Sequence, residues 1–131
     1  MDPSLKVTLQ PVEPNQNYQV IKFIGSLDKA GYADVIDELN KTIEQFNLKF
    51  LIFDFADLKF INSEGIGYLM EVHAHLVQRD RKLVIVAPNS HVDDVFKAIG
   101  IHEIVSVYAD LSEFLNSNKL KNIWGGLKKA F

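Results

Sequence analysis

The sequence predicts a single α/β domain on a mixed central sheet of about four to five strands with about four helices. Three observations predict it. Two nearly continuous apolar runs of strand length, Lys49–Phe55 and Leu83–Ala87, suit strands covered on both faces. Each is followed by a stretch whose apolar residues recur at helical spacing. A pair of shorter apolar segments precedes them and reads as a hairpin, which makes the sheet mixed.

The elements follow in order. Leu5–Leu9 alternates as a half-exposed edge strand, and the proline- and asparagine-rich 10–17 is a turn. Tyr18–Ile24 is the second strand, and Asp28 stands ready to cap a helix over Lys29–Phe46 with Tyr32, Val35, Ile36, Leu39, Ile43 and Phe46 on one face. The strand Lys49–Phe55 comes next, then a second helix from Glu64 to Arg79 with Ile66, Leu69, Met70, His73, Leu76 and Val77 as its apolar face. Gln78–Lys82 is a charged turn before Leu83–Ala87. Asn89 or Ser90 then caps a third helix that Gly100 stops. A last short strand lies within Ile101–Tyr108, and Asp110 or Ser112 caps a final helix through Leu115. Alternation of this kind implies right-handed crossovers with helices against the sheet. The domain is assigned to residues 1–117. Residues 118–131 form a basic amphipathic extension with Leu120, Ile123, Trp124, Leu127 and Phe131 near one side and lysines largely opposite. Such a segment suits packing on its own domain, a partner's groove or a membrane surface.

Composition narrows the function. With 131 residues, 47% hydrophobic and 24% charged, the chain buries a core of its own. The absence of cysteine excludes disulfides, thiolate metal sites and thiol nucleophiles. A net charge of −3 gives no general attraction to nucleic acid. No apolar run is of bilayer-spanning length and the N-terminus reads as no signal peptide, so a cytoplasmic protein is expected.

The chain is organised around Asp54–Gly67. Asn62 and Ser63 stand where the second helix needs its N-cap, and Glu64 follows in its positive first turn. Gly65 and Gly67 fall early in that helix, where each costs about 1 kcal/mol in propensity. Their small size fits close packing on the sheet and leaves space beside Ser63. Asp54 is expected to orient the loop presenting Ser63. His73 and His75, two apart on one helix, point to different sides and make no metal site. Gly65-Ile-Gly67 lacks the further glycine of a dinucleotide fingerprint.

Gly25-Ser-Leu-Asp28, Asp54–Gly67 with its Asn-Ser-Glu-Gly-Ile-Gly helix start, and Leu83–Gly100 together resemble the STAS domains, and within them the bacterial anti-sigma factor antagonists. The resemblance covers roughly 5–116 and agrees with the element order above. It implies a protein-binding switch with no cofactor, metal or catalytic residue of its own. A serine kinase of the histidine-kinase-like ATPase type, acting as anti-sigma factor, phosphorylates the motif serine, Ser63 by position, and a serine phosphatase resets it. The implied contact surface comprises Asp57, Asn62, Ser63, Glu64, Gly65 and Gly67, with Ser26 and Asp28 nearby and Ile66 and Tyr68 as secondary contacts. Two other readings stay open: a constitutive STAS binding subunit of a lipid-transport or signalling-scaffold complex, and a small metal- or nucleotide-dependent enzyme using Asp54 or the histidines.

Overall fold

The computed structural model of the chain describes residues 3–118. Five strands form one sheet in sequential order: β1 (Leu5–Leu9), β2 (Tyr18–Leu27), β3 (Phe50–Ile61), β4 (Lys82–Val86) and β5 (Ser106–Tyr108). The β1–β2 hairpin is antiparallel and every other pairing is parallel, so the sheet is mixed as expected. Helices α1 (Lys29–Gln45), α2 (Ser63–Gln78) and α3 (Ser90–Ile99) connect the parallel strands, and a fourth helix, α4, spans 111–118. The amphipathic segment expected beyond α4 lies, from residue 119 on, outside the described residues.

Connections of one hand between sequential parallel neighbours put their helices on one face. The packing agrees. One core joins α1, α2 and α3 to the sheet through Phe23, Phe53, Phe55, Leu58, Leu39, Leu69 and Phe96. Its centre is aromatic, with the Phe23 and Phe53 rings 4.6 Å apart and Phe55 edge-on to Phe23 at 5.1 Å. On the other face α4 sets Phe114 against Val20, Phe50, Ile52, Val84 and Val86. The alternation of β3, Phe53 and Phe55 to one side and Ile52 to the other, explains why its sequence reads as continuously apolar.

Three elements differ from expectation. β3 does not end at Phe55; it pairs with β2 as far as Leu27 opposite Ile61, passing two irregularities of register. Cross-strand pairing carries the charge-interrupted stretch 56–60 in extended form, which its composition alone does not announce. α2 buries Gly65, Tyr68, Leu69, Val72 and Leu76, while Val77 is 53% exposed. The face is rotated toward Tyr68 because Gly65 must lie against the sheet. Finally, the charged turn after α2 is a clamp. Arg79 Nη1 and Nη2 donate to the carbonyls of Ile43 and Phe46 at 3.0 and 2.7 Å, and Arg81 Nη1 donates to Leu48 O at 2.7 Å. The Arg79 bonds fall at the last turn of α1, where Ile43 O also accepts from the Phe46 amide at 3.3 Å and the helix dipole favours a cation.

Hydrogen bonds from a charged group to carbonyls contribute about 1.5–3 kcal/mol. Arg79→Ala is expected to lower the urea midpoint by an equivalent amount with the slope unchanged. Arg79→Lys, which cannot fork between two carbonyls, restores less than half of it.

Candidate functional site

Parallel strands followed directly by helices bring the helix N-termini to the carboxyl edge of the sheet, the edge where open α/β sheets bind their ligands. Each of the three connecting helices has a side-chain cap there. Asp28 Oδ1 accepts from Gly31 N at 2.8 Å, Asn62 Oδ1 from Gly65 N at 3.1 Å, and Asn89 Oδ1 from Val92 N at 2.8 Å. Asn89 also donates through Nδ2 to Leu58 O at 3.0 Å, tying the start of α3 to the end of β3.

Asn62 and Ser63 thus have separate duties. Asn62 takes the cap, and Ser63 is left exposed as the first residue of α2. The segment presenting it is held by main chain. Asn62 N donates to Leu27 O at 3.3 Å, and a Cβ on Gly65 would stand 2.3 Å from that same carbonyl. Gly31 meets Ser26 O in the same way, its Cβ position 2.0 Å away. The starts of α1 and α2 are therefore both seated on the last residues of β2. Gly67 is different, since nothing lies within 4 Å of its Cβ position. The structure splits the two glycines: Gly65 is demanded by packing, Gly67 is not.

The expected site residues sort accordingly. Ser63 and Glu64 are exposed; Asn62, Ile66, Ser26 and Asp28 are half-buried around them. Gly67 is exposed one turn on, whereas Gly65 and Tyr68 face inward and support the surface from beneath. Asp57 is exposed but lies in mid-strand, opposite Ile24, short of the Ser63 turn. Asp54 does not orient a loop before Ser63, because the strand continues there; its Oδ1 accepts from Ala56 N at 3.0 Å within the strand irregularity. No group of three metal-ligating side chains occurs among the described residues.

Two features escaped the sequence. Phe60, 41% exposed, stacks on His91 of α3 with centroids 6.0 Å apart and rings 15° from parallel, adding an aromatic shelf at this edge. Tyr68 packs edge-on to Tyr32 at 5.1 Å, and its hydroxyl has no hydrogen-bond partner among the described residues. Burial pushes the Tyr68 phenol well above its ordinary range, with Tyr32 and Glu71 adding repulsion. Gly31 was readable. It repeats the pattern of a capping Asp or Asn with glycine three residues on, seen in Asn62 and Gly65.

Comparison with known proteins agrees with this fold. The profile of the STAS domain family matches residues 11–114. Among solved structures, an anti-sigma factor antagonist from Mycobacterium paratuberculosis superposes with a TM-score of 0.75 at 14% identity, covering 89% of this chain and 96% of that one. The Bacillus cell fate determinant SpoIIAA in its phosphorylated form does so at 0.60 and 20% identity, covering 84% and 98%. A sulfate transporter family protein from Wolinella succinogenes reaches 0.68 at 17% identity, covering 84% and 90%. At such identities these likenesses establish the fold.

The unequal roles of the glycines are measurable. Gly67→Ala is expected to stabilise the protein by up to about 1 kcal/mol, because a helical glycine is replaced with nothing to clash. Gly65→Ala should destabilise it, since the Leu27 carbonyl belongs to main chain and cannot yield as a side chain could. Denaturant unfolding of both variants checks the opposite signs.

Proposed function

The chain belongs to the STAS domain family, and from that premise we propose that it is an anti-sigma factor antagonist switched by phosphorylation at Ser63. In this reading the unphosphorylated form binds an anti-sigma factor that is also a serine kinase of the histidine-kinase-like ATPase type. Binding frees a sigma factor, and a phosphatase resets the cycle. The protein is then a kinase substrate and does no chemistry itself. The observation that carries the reading is the exposure of Ser63 at the first position of a helix capped by another residue.

The physics of the switch is local. Phosphorylation adds a charge of about −1.5 to −2 at a helix N-terminus, where amides and dipole favour an anion. The fold therefore tolerates it, and the cost falls on a partner surface shaped for a hydroxyl. A loss of about 3 kcal/mol there weakens binding by more than a hundredfold. Because the cap is Asn62, a Ser63 phosphate breaks no intrahelical bond. Neighbouring residues Asp28, Asn62, Glu64, Ile66 and Gly67 complete the contact surface, with Ser26 at its margin.

One observation favours a second reading. Glu64, exposed beside Ser63, places a permanent carboxylate where the switch would place a phosphate. A domain charged there from the outset suits a constitutive binding subunit, for instance of a lipid-transport or signalling-scaffold complex.

The two readings separate cleanly. Co-purification from the native cell identifies the partner; incubation with that partner and ATP is then followed by intact mass. A switch gains one phosphate, none in Ser63→Ala, and Ser63→Asp binds the partner at least a hundredfold more weakly than Ser63→Ala. An unchanged mass together with a stable complex supports the constitutive subunit.

A further inference from the structure

Glu64, Gly67 and Glu71 lie along one stripe of α2, spaced three and four residues apart, so the side-chain-less position falls between two carboxylates. Both glutamates are exposed, and neither forms an ion pair among the described residues. Across from them stands Tyr32 of α1, and Tyr68 forms the floor. The five residues enclose a notch of about 280 Å³. No packing demand explains Gly67, yet any side chain there would fill this space. The floor carries a second peculiarity: Tyr68 is only 4% exposed, and its hydroxyl lacks a partner among the described residues. The same phenol lines an adjoining cleft with Asn40, Glu44 and His75, so acidic groups continue along the α1–α2 groove.

We propose that this notch receives an arginine side chain presented by the protein that binds the Ser63 surface. The chemistry is complementary on three counts. Two carboxylates line one space and have no cation of their own among the described residues, the partly exposed Tyr32 ring can pack against a planar cation, and the buried Tyr68 ring closes the floor with an apolar surface for the guanidinium plane. Arginine fits better than lysine because its fork can engage a carboxylate and a second acceptor together. The inference rests on the reading of this edge as a protein-binding surface, but not on phosphorylation. It places a second contact one to two helical turns from Ser63 and gives Gly67 a reason to be glycine.

The test needs no knowledge of the partner. The ¹⁵N-labelled full chain is titrated with the blocked peptide acetyl-Gly-Arg-Gly-amide and, in parallel, with the citrulline peptide, which keeps the shape and loses the charge. Saturable shifts are expected at the amides of Tyr32 and of Glu64 through Glu71 with the arginine peptide only. Glu64→Gln with Glu71→Gln should weaken the interaction about tenfold, and Gly67→Leu should abolish it while the remaining spectrum stays folded. Equal shifts with both peptides, shifts centred elsewhere, or none up to the highest peptide concentration would overturn the proposal. Failure here with Ser63-dependent partner binding intact removes only the notch. A positive titration in a chain that is never phosphorylated removes only the switch.

Discussion

The carbonyl of Leu27 is the point from which the site is built. It accepts from the Asn62 amide and presses against Gly65 closely enough to exclude any side chain there. This contact joins the end of β2 to the start of α2 through main chain alone. The carbonyl of Ser26 does the same for α1 through Gly31. Backbone contacts of this kind leave no rotamer to adjust, so both helix starts are seated rigidly. The position of Ser63 is consequently set by main-chain contacts between the end of β2 and the start of α2.

That separation lets the surface vary while the frame stays constant. Asn62 caps α2 and so frees the hydroxyl of Ser63 from any structural task. Gly65 supplies the packing, which leaves Gly67 outside it and open to another role. Helix N-termini gathered at the carboxyl edge of the sheet favour an anion at Ser63. The carboxylates of Glu64, the next residue, and Glu71, about two turns along, favour a cation in the notch between them. The same short helix thus offers two electrostatic preferences in sequence, and a partner that satisfies both is fixed in orientation as well as in affinity.

The rear of the domain is stapled differently. Arg79 and Arg81 close the amino edge by donating to carbonyls at the end of α1 and in the segment before β3. At α1 the staple adds donors to the carbonyls of the helix end and a cation at its negative pole. Near His102 the carboxylate of Asp93 bridges α3 to the 3₁₀ turn Ile101–Glu103 at 2.9 Å, and Lys97 approaches it at 3.1 Å. Burial opposes ionisation of Asp93, but the hydrogen bonds from Lys97 and His102 outweigh it and hold the carboxyl below its usual range.

Much of this was legible in the chain itself. The mixed sheet, the order of its elements, the caps Asp28, Asn89 and Asp110, and the stop at Gly100 in its left-handed conformation follow from local periodicity and cap chemistry. Local signals suffice for the individual elements and caps because each is made by residues within a few positions of one another, and the order of those elements implies the mixed sheet. Membership of the STAS family was legible too, in the run from Asp54 to Gly67. What only the tertiary structure decided involves partners distant in sequence. The extension of β3 to Ile61 depends on β2 lying alongside, and the arginine clamp joins residues more than thirty positions apart. Above all, Gly65 and Gly67 are indistinguishable as letters. One meets the carbonyl of Leu27 and the other meets open space, and that difference exists only once the helix has been laid against the sheet.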